Sequence, residues 1–256
     1  MPDLGRVWAD MRDILADSRW AILPVVAAFL FLPQLLLARL AGDSGEQAEL
    51  AALPPGFLML VVGTGIAGLV GQLFVSQLAL RVGGGRTVGD LLARSVALLP
   101  AALAIGLAQA MALMPAILLL RTGTPPAAIL GLLALAGGLY VVARILLAVP
   151  ALVAERTGVV EALRRSWALT DGRALRVLGM LVVLLFGLML MLVVFAGLGS
   201  GLAAVATLVA GAPEAGWGLG RWLAELVTAG VSAAASLALS LFMILLYRGL
   251  SDGRGA

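Results

Sequence analysis

The chain has 256 residues, 62% of them apolar and only 12% charged, with a net charge of +3 and a mean hydropathy of +1.11. A soluble domain carries roughly 25% charged residues, whereas several apolar runs here reach the ~20 residues that a bilayer crossing demands. The chain reads as an integral membrane protein, and the absence of histidine and cysteine excludes zinc or haem sites built on them, thiol chemistry and disulfides.

The first 19 residues carry four aspartates against three arginines, so the positive n-region of a secretory leader is missing. The apolar run that follows, 20–40, is therefore expected to be a retained span, and no appended soluble catalytic domain is indicated. The loop 41–55, AGDSGEQAELAALPP, is acidic. A second span covers 56–80. Gly83 to Gly85 form a turn before a short amphipathic helix expected near 88–94, and a third span runs from about 95 to 120. Pro125 or Pro126 opens the fourth, since proline suits the first helical position, and it continues to about Pro150. The fifth covers 177–198 and the sixth 223–247. The apolar piece GLAAVATLVAG, 201–211, is too short for a clear seventh crossing and is read as an extension of the fifth helix or a re-entrant turn.

Six spans put both ends on one side. The termini with the 81–95 and 151–176 connections hold thirteen of the 17 basic residues, all of them arginine, and the other three connections hold Arg39, Arg121 and Arg221. That bias places both termini in the cytoplasm. The expected fold is all-α: a polytopic membrane protein of six transmembrane helices with short interfacial amphipathic helices, forming one membrane domain over 1–256. An internal echo suggests three parallel two-span units, 1–80, 88–155 and 159–250. LLARSVALLP, 91–100, aligns with ALRRSWALTD, 162–171, at an offset of 71, and ILADSRWAILP near the N-terminus is a weaker copy.

The most charged stretch is EALRRSWALTDGRALR, 161–176. Wound as a helix, 159–170 places Val160, Leu163 and Trp167 along one side, with Glu161, Arg164, Arg165 and Ala168 around the rest. Glu161 precedes Arg165 by four residues, the favourable order for a helical ion pair, and Asp171-Gly172 offers a helix end at which glycine can turn left-handed. This geometry suits a helix lying in the cytoplasmic interface, with tryptophan at headgroup depth and arginines near lipid phosphates. It would clamp the inner ends of spans four and five, with Trp167 and Leu163 toward hydrocarbon and Glu155 paired with Arg164 or Arg165. A basic loop serving topology alone, or a docking surface for another protein, remain alternatives.

Arg144 lies eighteen residues after Pro126, about 27 Å along a helix, so it sits within the fourth span. An arginine there must snorkel, pair or face a polar cavity. It stands three helical turns from Glu155, so the two cannot meet in one straight helix. In the sixth span Thr228, Ser232, Ser236 and Ser240 recur at steps of four, the pattern of close helix packing with interhelical hydrogen bonds. Gly63, Ala67 and Gly71 mark a similar packing line in the second span. Gln34, Gln72, Gln77 and Gln109 bring amides that need partners in hydrocarbon.

Residues 144–179, RILLAVPALVAERTGVVEALRRSWALTDGRALRVLG, resemble a bacterial inner-membrane family named for the membrane domain of glycerophosphoryl diester phosphodiesterase. They are also similar to a related group of uncharacterised six-span inner-membrane proteins. The matching positions are Arg144, Pro150, Glu155, Gly158, Ala162, Arg165, Ser166, Trp167, Leu169, Thr170 and Gly172, with a looser likeness at LLYRGL, 245–250. The resemblance implies a multi-pass bacterial inner-membrane protein.

Catalysis is not expected. The phosphodiesterase domain that some relatives carry uses paired histidines with metal-binding carboxylates, and this chain has no histidine. Glu225 is the one carboxylate candidate within the spans, and Arg221, a turn before it, is placed to pair with it. No catalytic, cofactor or metal residue is assigned. The expected role is structural, regulatory or lipid-associated, and transport or lipid handling through a channel is the alternative. Anionic headgroups at the cytoplasmic face are the expected partners, and Arg144, Glu155, Arg164, Arg165 and Trp167 are the candidate polar or lipid-facing residues. The reading leaves room for a membrane-protein partner or a second copy of the chain. Dispersed arginines and few aromatic residues speak against nucleic acid.

Overall fold

The computed structural model describes residues 12–13, 16, 20–42, 55–80, 87–155, 157–210 and 219–252. The expected 41–55 loop and the 83–85 turn lie largely or wholly outside them. The first span ends in α1 (Leu32–Gly42) after a π-helical turn, Ala27–Phe31. Then follow α2 (Pro55–Ala79), α3 (Val88–Arg121), α4 (Pro125–Ile145), α5 (Ala148–Glu155), α6 (Val159–Leu169), α7 (Ala174–Ala210) and α8 (Leu219–Asp252). Among the described residues, six helices are long and apolar enough to cross a bilayer: Trp20–Arg39, Gly56–Ala79, Val88–Arg121, Pro125–Glu155, Ala174–Leu202 and Trp222–Ser251. The protein is an all-α, polytopic membrane protein.

Two boundaries differ from expectation. Residues 88–94 form no separate short helix; they are the first turns of the 34-residue α3. Thr87 caps its start, its hydroxyl accepting from the Asp90 amide while the Asp90 carboxylate accepts from the Thr87 amide at 3.2 Å each. This reciprocal cap fixes where the helix begins, and nothing interrupts it before the apolar run. Residues 201–210 continue α7, which is helical over 37 residues, or about 56 Å at 1.5 Å per residue. That is the extension, without a re-entrant turn.

The chain divides into two compact units. The first comprises Met1–Asp17, Leu73–Val183 and Ser240–Ala256. Its centre is a layer in which Ile105 of α3, Ala148 and Leu152 of α5, and Ala162 of α6 are buried together, with Leu163 packed against them. Leu73, Ala102 and Val153 continue that layer. Gln77 is buried there and donates to Ser95 Oγ at 2.8 Å and to the Leu91 carbonyl at 3.4 Å. The second unit comprises Ser18–Gln72 and Leu184–Leu239. Within it Arg39 Nη1 meets Glu225 Oε2 at 3.0 Å, both largely buried, and the guanidinium lies 4.2 Å from the Trp222 ring centre. Much of α7 exposes leucine, valine, methionine and phenylalanine, as a lipid-facing helix must.

Close helix approach bears out part of the expected glycine line. Of the Gly63–Ala67–Gly71 line, Gly71 fits against Leu30, while space around Gly63 is open. A close approach to backbone joins α3 and α4, where a Cβ on Gly138 would stand 2.6 Å from the Ala112 carbonyl oxygen. Gly138→Ala is therefore expected to destabilise the protein by about 1–3 kcal/mol in bicelle unfolding. Gly137→Ala, which meets nothing within 4 Å, should change little. Equal effects at the two positions would contradict this packing.

Candidate functional site

The hydrogen-bonded helix of the fourth span is interrupted. α4 ends at Ile145, a turn at Leu146–Leu147 follows, and α5 resumes at Ala148. Pro150 explains where the helix can restart. It cannot donate a backbone hydrogen bond, but in the first turn of α5 that donor would have had no intrahelical acceptor. Its absence is therefore harmless at that position. The interruption leaves carbonyls at the end of α4 that need donors, and α6 supplies one.

Ser166 Oγ donates to the Arg144 carbonyl at 2.7 Å. Thr170 Oγ1 lies 3.3 Å from the same oxygen, 2.9 Å from the Ser166 carbonyl and 3.2 Å from the Trp167 carbonyl. A hydroxyl has one proton, so Ser166 is the dependable donor to Arg144. Both hydroxyl residues are fully buried. The serine and threonine four apart in ALRRSWALT thus turn one face of α6 toward the broken end of α4.

The Arg144 side chain reaches the same helix. Its Nη1 and Nη2 each lie 3.1 Å from Asp171 Oδ1, and Nη1 also donates to the Trp167 carbonyl at 3.1 Å. Nε donates to Tyr140 Oη at 3.2 Å. The guanidinium centre stands 4.8 Å from the Trp167 ring centre and 5.5 Å from that of Tyr140. Arg144 is 9% exposed, and its guanidinium finds its hydrogen-bond partners within the protein. Asp171, whose side chain is 74% exposed, brings the balancing charge from the solvent side. Gly172 follows with φ +67° and lets the chain turn into α7.

A second pair ties the far end of α5. Arg165 Nε donates to Glu155 Oε1 at 2.7 Å, and Tyr247 Oη of α8 donates to the same oxygen at 2.8 Å. Of the two neighbouring arginines it is Arg165 that turns to Glu155, not to Glu161. The hydrogen bond to Glu155 raises the Arg165 pKa above the usual arginine value and holds its charge. Arg164 remains exposed and, with Val160 and Glu161, borders an open cavity whose other wall is the Glu155–Arg165 pair. Next to Tyr247 in sequence, Arg248 donates through Nη2 to the Ala79 carbonyl.

The faces of α6 depart from expectation at Leu163. Ala162, Ser166 and Leu169 are buried, while Val160 is 64% and Trp167 43% exposed. Leu163 packs on the Ile105–Ala148–Leu152 layer and not toward hydrocarbon. Small residues win this face because helices approach closely only where side chains are short. Gly158 caps the start of α6 in an extended conformation. Elsewhere, Glu225 pairs with Arg39, and the Arg221 side chain lies outside the described ones. In the serine stripe, Thr228 and Ser236 donate to the carbonyls of Ala224 and Ser232 in their own helix, both at 2.9 Å, and Ser240 is buried. Sequence reasoning missed Asp171 and Tyr140 as partners of Arg144, although Tyr140 sits one turn before it, at the spacing of side chains that meet on a helix.

The described residues contain no group of three or more acidic, histidine or cysteine side chains able to hold a metal ion. A family model described as the membrane domain of glycerophosphoryl diester phosphodiesterase matches residues 118–251, which include α4, α5, α6 and both pairs just described. No curated protein and no solved structure matches the chain.

In bicelles, a double-mutant cycle of Glu155→Gln with Arg165→Gln is expected to show a coupling of about 0.2–1 kcal/mol, the range of a partly exposed pair. The same cycle with Arg164→Gln should give none. Coupling of Glu155 to Arg164 in place of Arg165 would contradict the geometry.

Proposed function

We propose a non-catalytic, lipid-associated role for this chain, which belongs to the family of the membrane domain of glycerophosphoryl diester phosphodiesterase. The α4–α5–α6 elbow is the part that meets the membrane surface. One observation carries this reading: α6 turns its small residues inward under the Arg144 network and leaves Val160, Arg164 and half of Trp167 outward. An outward apolar, aromatic and basic set is what a helix at the headgroup layer presents. Arg164, bordering the open cavity, is the residue for an anionic lipid phosphate. The locked inner face would keep that set at a fixed angle to spans four and five.

The arginine distribution supports cytoplasmic termini and a bacterial inner-membrane location, with α6 at the cytoplasmic face. Two features support the internal repeat. The caps of α3 and α6, Thr87 and Gly158, stand 71 residues apart, as do the fully buried Ser95 and Ser166. Each serine is hydrogen-bonded to the preceding span, Ser95 through Gln77 and Ser166 through Arg144. The copies diverge at Pro100, which α3 runs through, and Asp171, where the second copy turns. Transport draws no comparable support, since Thr228 and Ser236 donate their protons within their own helix.

Purification in nanodiscs of mixed anionic and zwitterionic phospholipid tests the surface role. Native mass spectrometry of Arg164→Gln should show about fivefold less retained anionic lipid, the factor for one basic residue near a charged surface. A cysteine introduced at residue 164 should label from the cytoplasmic side. An unchanged lipid ratio would overturn the headgroup contact, and periplasmic labelling the orientation.

A further inference from the structure

The second unit contains a cavity of about 330 Å³ that uses no residue of the elbow. Its walls come from the first span, α2 and α8, and include Gln34, Thr64, Gly65, Gly68, Gln72 and Ser236. The space has a sequence cause. A Cβ placed on Gly65 or Gly68 would meet nothing within 4 Å, so these glycines leave room and do not bring helices together. On the opposite wall the first span widens into its π-helical turn, closed by the Leu32 amide donating to the Ala27 carbonyl. Pro33, just beyond, could not have given the ordinary i−4 hydrogen bond. Such single wide turns recur at functional sites.

The polar groups define what would fit. Thr64 Oγ1 donates to the Leu60 carbonyl at 2.8 Å and Ser236 Oγ to the Ser232 carbonyl at 2.9 Å. With their protons committed, both hydroxyls can only accept. The Gln34 and Gln72 amides carry N–H donors and carbonyl acceptors. No ionisable residue lines the cavity, so a charged head would lie in hydrocarbon depth without a counter-charge, an expensive arrangement. The complementary ligand is neutral and brings a hydroxyl donor together with carbonyl acceptors. At ~30 Å³ for each water-sized group, the volume admits roughly ten such groups. That is the size of a glycerol unit with two ester groups. Val61 and Gly65 on the wall are exposed, which leaves a lateral way out for acyl chains.

We infer that this cavity is a binding site for the neutral head of a diacylglycerol-type lipid. Its free hydroxyl donates to Thr64, and an ester carbonyl accepts from the Gln34 amide. The inference is independent of the headgroup role given to Arg164.

The test uses the full chain in phosphatidylcholine nanodiscs with a trace of diacylglycerol carrying a photoreactive group beside the glycerol. Mass spectrometry of cross-linked peptides should place label within 29–37 and 61–72. Unlabelled diacylglycerol should compete, whereas triacylglycerol, which lacks the hydroxyl, should not. Thr64→Val keeps the side-chain shape and removes the acceptor, so labelling should fall about fivefold, as for loss of one hydrogen bond of ordinary net strength. Gly68→Leu should abolish labelling by filling the space, and Thr64→Val carries the test if that variant does not fold. Label elsewhere, equal competition by triacylglycerol, or undiminished labelling of Thr64→Val would each overturn the proposal.

Discussion

A membrane helix that breaks must find donors for the carbonyls it frees, because lipid offers none. In this protein the break after Ile145 meets that condition through Ser166, whose hydroxyl donates to the Arg144 carbonyl at 2.7 Å. Leaving one such buried acceptor unpaired costs about 1–3 kcal/mol, enough to decide whether the chain continues as one helix or folds into the elbow. The Arg144 side chain adds a second demand at the same residue. Its charge is met by Asp171 and its π-facing surfaces by Trp167 and Tyr140. One residue thus ties the end of α4 to both the middle and the end of α6, through backbone and side chain together.

From that tie the remaining geometry follows. With α6 held by Ser166 and Thr170, its small Ala162 face can reach α5 and complete the layer around Ile105 and Leu152. The Glu155–Arg165 pair, joined by Tyr247, then fixes the other end of α5 against α8. Inward commitment of these groups leaves Arg164, Val160 and part of Trp167 outside, and this division of one short helix is what makes a membrane-surface role attractive. The second unit has its own internal charge pair, Arg39 with Glu225, and its own polar cavity, neither of which depends on the elbow.

The spans were legible because length and hydropathy alone decide them, and their cores agree with the observed helices. Boundaries were less so: the third helix begins early because a Thr87–Asp90 cap outweighs the change in hydropathy there. Leu163 was expected to face hydrocarbon with Trp167, but it packs inward, because α6 meets its neighbours along the small residues Ala162 and Ser166 and Leu163 stands beside Ala162. The pairing of Glu155 with a nearby arginine could be anticipated from the loop between them. Asp171 was read only as a helix end beside Gly172, which hid its charge role 27 residues from Arg144. Arg39 and Glu225 are 186 residues apart, and no local spacing could have joined them.

The chain contains no cysteine, so paired spin labels can be introduced without removing any native thiol. Labels at Leu133 on α4 and Val160 on α6, both exposed, report the elbow angle as a distance distribution in nanodiscs. A narrow distribution is expected for the parent protein and for Arg164→Gln, and a broad or displaced one for Arg144→Gln and Ser166→Ala. A distribution that stays narrow and unmoved when Arg144 and Ser166 are both replaced would contradict the dependence of the elbow on that residue.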